Sequence, residues 1–375
     1  MLININPNVI DAAKKDINAK TALTLLAQIA RCGNHIVVSE SIAAIRKIQQ
    51  INGLGVDVKS IYATIEKKLI QYGALKSKIS TYAEVTYDNV PLYTKTTINQ
   101  NIIIIPIEYF IQESCIADIT DVIVENLIDA DFYKFLGRYY IHMSGYSNVP
   151  LKYKPICGGG NTTNMSLQLG LDSGHKFTIC LADSDKHYPK DSYGDTLKQI
   201  LHTWETANNN GVTHRHLCKV IFSDDIREIE NLIPIPILKQ INPLSGLEID
   251  SINNKDSKIF LYMDIKDGLS YETFNTISAI EQNIYEQYLI NNHLCDQRLL
   301  NEIKRKDKPL KDKTRLINGC GPSTLSIALN NYLSQAANKF KEIIAPQLTK
   351  DQAKVWMYIG KHFFEWACAT PPIRS

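Results

Sequence analysis

No two of the eight cysteines form a C-x-x-C pair, and the 375-residue chain has no run of about 18 uncharged apolar residues. The cysteines (32, 115, 157, 180, 218, 295, 320 and 368) are scattered, several of them inside apolar stretches. That pattern fits neither a zinc ribbon nor a disulfide framework, and it reads as reduced, buried thiols. The longest apolar stretch, NIIIIPIEYFI from Asn101, is too short to cross a bilayer and is interrupted by Pro106. The N-terminal MLININPNVIDAAKKD lacks the basic-then-apolar design of a secretory leader. Together these absences predict a soluble, cytoplasmic protein. An excess of charge is lacking too: 41 Lys and Arg against 39 Asp and Glu leave a formal net charge of +2. This removes the argument for a polybasic nucleic-acid binder and leaves local patches open. Neither G-x-x-x-x-G-K-S/T nor G-x-G-x-x-G is present, so the usual phosphate loops of motor ATPases and dinucleotide folds are missing. No internal repeat or low-complexity tract is visible.

What is present is regular in the middle and less so at the ends. The length suits two or three domains. Over residues 1–115, helical spacing at Asn8–Ala30, Ser39–Gln50 and Val56–Tyr72 surrounds a short strand, HIVVS, and leads to the strand-like NIIIIPI. This reads as a mixed α/β module of unassigned role. From Asp121 strand and helix patterns alternate. DVIVEN ends a strand in Glu125, and the next segment places Ile128, Phe132, Phe135, Leu136 and Tyr139 on one helical face. YKPIC stops at Gly158-Gly159-Gly160-Asn161, with a short helix expected from Thr163 to Leu169. FTICLA runs into Asp183 and Asp185, followed by a helix from Gly194 to Asn208. LCKVIF is the next strand, and SDDIREIENLIP a short helix stopped by Pro234. KIFLYM, 258–263, reads as a last strand ending in Asp264, with a helical stretch from Ser270 to Tyr288. Such alternation predicts an α/β class with a parallel sheet and flanking helices over 116–300. Residues 301–375 open with NEIKRKDKPLKDKTR, seven Lys or Arg against three acids, and continue with helical patterns at Thr324–Ile344 and Lys350–Cys368.

The chemistry-bearing residues gather at strand ends, the edge where open α/β sheets bind ligands. Asp183 and Asp185, two apart in an extended chain, would face one point while Ser184 turns away. Two converging carboxylates repel unless a cation lies between them, and hard oxygen donors favour Mg²⁺ or Mn²⁺ over zinc. Glu125, with Asp129 four residues on, closes an earlier strand, and Glu230 lies inside REIEN. Asp129 can equally be a helix cap. The glycines at 158–160 would either seat a phosphate or only turn the chain. Lys186 and Lys266 are the basic residues nearest the proposed metal. His214 and His216 open a strand, which favours a loop role. The basic run at 302–315 would track a phosphate backbone or serve as a solvated linker.

The glutamate closing VIVEN, the D-x-D of ADSDK and their order in an alternating α/β unit resemble the Toprim domain. That domain is the metal-dependent catalytic module of topoisomerases, bacterial primases and OLD-type nucleases. The likeness spans roughly residues 119–268. Glu125 with Asp129 is similar to the E-x-x-x-D arrangement of the nuclease branch, REIEN to a segment that adds another acid (Glu230), and DIKDGL to the segment carrying a phosphate-stabilising lysine (Lys266). The resemblance implies a Mg²⁺- or Mn²⁺-dependent nuclease acting on DNA or RNA. Glu125, Asp183, Asp185 and Lys266 would be catalytic, and Glu125, Asp129, Asp183, Asp185 and Glu230 would hold metal. It also implies a bacterial anti-phage setting, control by an ATPase or inhibitor on a separate chain, and room for a second subunit. Two other classes stand beside it: a Toprim-scaffold sensor without catalysis, and a phosphotransfer or nucleotide-handling enzyme on another α/β fold.

Overall fold

Short apolar segments pair in register into two main sheets. The computed structural model describes residues 1–146, 148–252, 258–291, 315–336 and 339–373, so all of the basic run at 302–315 except Arg315 lies outside the described residues. The first sheet contains β1 (Leu2–Ile5), β2 (Ile36–Ser39), β3 (Thr81–Thr86), β4 (Tyr93–Thr96) and β5 (Asn101–Pro106), in the order β2-β1-β3-β5-β4. All its pairs are parallel except β4 with β5, a largely exposed edge.

The second sheet is wholly parallel: β6 (Thr120–Val124), β7 (Tyr153–Cys157), β8 (Thr178–Leu181) and β9 (Cys218–Ile221), in the order β7-β6-β8-β9. Its crossover helices are Leu127–Met143, Thr163–Ser173 and Asp195–Asn209. Every residue of β8 is buried, as its unbroken apolar run requires. The chain leaves β6 toward β7 on one side and β8 toward β9 on the other. The strand order therefore reverses between β6 and β8, the place where such sheets open a crevice at their carboxyl edge.

KIFLYM is not a strand. Ile259–Tyr262 is a single 3₁₀ turn entered through Lys258 in a left-handed conformation, φ 50°. An apolar run buried on all sides carries no period that distinguishes a strand from a turn. Its carbonyls are used elsewhere, Leu261 O by the Arg227 N–H at 2.8 Å and Phe260 O by the Asn231 side chain at 2.9 Å. A small antiparallel pair, β10 (Gly268–Ser270) and β11 (Arg315–Asn318), carries no alternating pattern in the sequence.

One buried apolar cluster runs from the first sheet through one face of the second to the C-terminal helix Lys350–Ala367, and a smaller cluster fills the other face. This helix starts with a Thr349–Gln352 capping box. It crosses Leu127–Met143 at close range: a Cβ at Gly360 would lie 2.4 Å from the Leu136 carbonyl, and one at Gly137 2.9 Å from the Phe363 ring. Trp356 packs edge-on against Phe132, Phe135 and Tyr139. The Glu365 carboxylate accepts from Ser80 N and Oγ, which ties the helix to the first sheet. Gly360→Val is expected to cost about 1–3 kcal/mol by overpacking this crossing, read as a lower urea midpoint with an unchanged slope. No helix among the described residues is long and apolar enough to cross a membrane.

Candidate metal centre

Because β6 and β8 are parallel neighbours, with Ile123 opposite Cys180, both deliver their next residues to the same edge. Glu125 follows β6 and Asp183 follows β8, and the backbone amide of Asp183 lies against the Glu125 carboxylate. Asp183 Oδ1 accepts from the Ile229 N–H at 3.2 Å, which draws in the REIEN turn. The backbone N–H groups of Ser184 and Asp185 both donate to Arg227 O, at 3.0 and 2.9 Å, and Ser184 Oγ donates to Ile226 O at 2.5 Å.

The turn is fixed from behind as well. Asn231 Oδ1 accepts from Glu228 N, and its amide donates to Phe260 O and Met263 O. From the C-terminal helix, Gln352 donates to Asn231 O and Ile233 O, and Trp356 Nε1 to Leu232 O. These bonds hold Glu228 and Glu230 at 5 % and 6 % exposure. Arg227 caps the rear of the turn, with Nη2 3.0 Å from Asp264 Oδ2.

Asp183, Glu228 and Glu230 each present a carboxylate oxygen within 4.8 Å of the others. Glu125 Oε1, Glu228 Oε1 and Glu230 Oε2 are buried without a hydrogen-bond partner among the described residues. Burial first, then the charges of Glu230, Glu125 and Glu228, raise the Asp183 carboxyl well above its ordinary value. Glu228 is pushed up to about 7 by burial and then by Glu230. Glu125 is pushed up to about 7 by burial, then by Asp185 and Asp129. The cluster thus holds more acid than its surroundings neutralise. Lys266 and Arg227 supply counter-charge: Lys266 Nζ is 2.5 Å from Glu228 Oε2 and 3.4 Å from Glu230 Oε1, and Arg227 Nε is 3.7 Å from Glu228 Oε1. Burial opposes the Lys266 charge, but Glu228 and Glu230 outweigh that and hold the ammonium well above its usual range.

The donor set is all carboxylate, without histidine or cysteine, and includes unpartnered buried oxygens. It fits a hard divalent cation such as Mg²⁺ or Mn²⁺.

The sequence candidates take distinct places. Asp129 is at once a cap and a neighbour of the cluster: its Oδ2 accepts from Asn126 N at 2.8 Å. Its carboxyl is raised to about 6, by burial first, with Glu230 contributing. Asp185 does not continue an extended strand, since β8 ends at Leu181 and Asp185 is left-handed, φ 55°. Its side chain lies against Gly194, where a Cβ would come within 2.4 Å of it, and its charge acts on Glu125. Lys186 is turned away, bonded to Asp224 at 2.8 Å and set over the Tyr193 ring at 4.7 Å. His214 meets Leu171 O and His216 meets Thr94 Oγ1, so both have structural partners. In the glycine turn, Gly158 N and Gly159 N donate to Val124 O and Glu125 O, which leaves neither for a phosphate.

Sequence reasoning missed Glu228, although E-x-E in REIEN has the same two-residue spacing as D-x-D. It also missed Tyr133, one turn beyond Asp129, whose phenol is driven well above the usual range by burial first and then by the charges of Asp183, Asp129, Glu125 and Glu230. Comparison of the chain with protein-family models, curated proteins and solved structures gave no match.

Proposed function

We propose that this chain is a cytoplasmic, Mg²⁺- or Mn²⁺-dependent phosphodiesterase of Toprim type that cuts DNA or RNA. The observation that carries the reading is the meeting of Asp183, Glu228 and Glu230 around one point, beside Glu125, where β6 and β8 diverge. Asp183, Glu228 and Glu230 would hold the cation, with Glu125, Asp129 and Asp185 forming a second acidic group alongside. A divalent cation bound there supplies Lewis-acid polarisation of a phosphoryl oxygen and a more acidic water. The residues of the chain supply the rest. Glu125, pushed up to about 7 in the metal-free protein by burial and then by Asp185 and Asp129, is the carboxyl beside the cation's place that would exchange a proton with substrate or water. Lys266, held as an ammonium at the rim, offsets negative charge on a phosphate. The REIEN turn, clamped by Asn231, Gln352 and Trp356, keeps the carboxylates in place without reorganisation.

With no G-x-x-x-x-G-K-S/T loop in the sequence, control by an ATPase or inhibitor on a separate chain, in an anti-phage setting, belongs to the same proposal. The sensor reading draws on one observation, the Lys266 ammonium already paired with Glu228 and Glu230. One assay separates the two. Supercoiled plasmid and a labelled RNA are incubated with Mg²⁺, Mn²⁺ or EDTA, using wild type and Asp183→Asn. Metal-dependent cleavage that Asp183→Asn lowers by about 10³ supports the nuclease. No metal-dependent cleavage of either substrate, or cleavage that persists in the variant, rejects it.

A further inference from the structure

We propose that a cavity at the amino ends of both sheets, away from the acidic cluster, binds a nucleoside monophosphate. The cavity, about 220 Å³, lies between the first residues of β3 and β5, Thr81 and Asn101, and those of β9, Cys218 and Lys219. Thr94 of the edge strand β4 closes one side through its Oγ1, 3.0 Å from His216 Nδ1. Glu125 and Asp183 follow the carboxyl ends of β6 and β8, which run parallel to β9, so cavity and acidic cluster occupy opposite edges of the second sheet.

Two features of the lining call for a ligand. Trp366 is 2 % exposed, borders the cavity, and has no hydrogen-bond partner for its Nε1 among the described residues. A buried N–H left without an acceptor is costly, and here an acceptor can come only from something that enters the cavity. The second feature is charge. Arg215 donates to Asn208 O at 2.7 Å and to Asn208 Oδ1, both neutral acceptors, and Lys219 is exposed. Neither cation forms an ion pair among the described residues, and no carboxylate lines the cavity. Two positive charges therefore stand without a counter-ion.

The ligand's chemistry follows from that pairing. It needs an anionic group for Arg215 and Lys219 and a body that carries a hydrogen-bond acceptor to Trp366 Nε1. A heterocyclic base supplies ring nitrogens and carbonyl oxygens as acceptors, and its flat face suits the partly buried Trp204 ring on the lining. Inorganic phosphate would answer the cations and leave the indole N–H unmet. Benzoate would bring a ring without an acceptor on it. The volume lies below the roughly 300–1,000 Å³ of ordinary small-molecule sites, which limits the ligand to about one nucleotide. The inference goes beyond the nuclease reading and does not depend on it.

The test is calorimetric titration of the full chain in EDTA with AMP, GMP, CMP, UMP, inorganic phosphate and benzoate. Wild type is expected to bind at least one of the four nucleotides with a Kd tighter than about 1 mM, and at least about tenfold tighter than phosphate or benzoate. Arg215→Gln/Lys219→Gln should weaken that binding about tenfold, and Trp366→Phe, which keeps a ring but removes the N–H, about fivefold. Circular dichroism checks that each variant is folded; the charge pair lies at the surface and decides the matter if Trp366→Phe does not fold. Asp183→Asn, which alters the acidic cluster, should bind as wild type does. The proposal is overturned if no nucleotide binds, if phosphate or benzoate binds as tightly, or if affinity is unchanged in a folded charge or Trp366 variant. Loss of binding in Asp183→Asn overturns it too, by placing the nucleotide at the acidic cluster. Because binding is read without metal, it stands or falls separately from plasmid nicking.

Discussion

Glu228→Gln is expected to lower metal-dependent strand cleavage about 10³-fold, as deeply as Asp183→Asn, the equivalent of ~4 kcal/mol. Glutamine keeps the volume and one oxygen but removes a charge from a position that is 5 % exposed and shares its surroundings with Asp183 and Glu230. Three carboxylates that confront one another so closely are at odds without a cation, and removing one relieves the repulsion that makes the site want the ion. The variant should therefore be at least as stable as wild type in EDTA while losing activity, a combination that separates a functional loss from a folding defect. Lys186→Gln provides the contrast. Its ammonium serves Asp224 and the Tyr193 ring, so cleavage should stay within about threefold of wild type. Plasmid nicking with Mg²⁺ and urea denaturation in EDTA, on all three variants, decide the matter. A Glu228→Gln protein that cuts as well as wild type would remove this residue from the site.

The second large effect is on stability. In metal-free buffer the folded protein is expected to lose stability as pH rises through neutrality. Glu125 and Glu228 go from an ordinary 4.5 to about 7 on folding, through burial first, then Asp185 and Asp129 for Glu125 and Glu230 for Glu228. Asp129 goes from 3.8 to about 6, again chiefly through burial. The unfolded chain gives up these protons near pH 4, while the folded chain keeps them until about pH 6 to 7. Across that window the folded state binds more protons, so the free energy of unfolding falls with rising pH. Their contribution is complete below the unfolded values and gone above the folded ones. At about 1.4 kcal/mol for each pKa unit, any one of these groups contributes up to about 3 kcal/mol, and because they repel one another their contributions do not simply add. Melting in EDTA should accordingly be higher at pH 5 than at pH 8, and Mg²⁺ at pH 8 should recover the difference. A melting temperature in EDTA that rises from pH 5 to pH 8 would show that the carboxylates are not held as described.

How much of this was legible in the sequence depended on range. The parallel strands could be read because β8 is an unbroken buried run, and β6 and β9 are mostly apolar with one charged residue each, Asp121 and Lys219. Glu125 and Asp183 stand out by the change from apolar strand to acid, and Glu230 by the resemblance of REIEN to a Toprim segment; the structure brings all three to one edge. Glu228 was hidden because REIEN reads locally as a helical face with an Arg–Glu pair, and only the 3₁₀ turn at Ile229–Leu232 buries both glutamates. Asp185 was assigned strand geometry that ends at Leu181. KIFLYM had the composition of a strand, but its position under the REIEN turn used its carbonyls otherwise. In the first sheet, β4 is too polar to stand out, and β3, TYAEVT, mixes polar residues into a buried strand. The clamp from Gln352 to Asn231 joins residues 121 apart, and no local pattern encodes such a contact.

The central claim is that Asp183, Glu228 and Glu230 share a divalent cation, and calorimetric titration of metal-free protein with Mn²⁺ at neutral pH tests it most directly. The account predicts saturable binding to wild type, with affinity at least about tenfold weaker in both Asp183→Asn and Glu228→Gln. Mn²⁺ affinity that is the same in wild type and both variants, or no binding by the folded wild type, would contradict it.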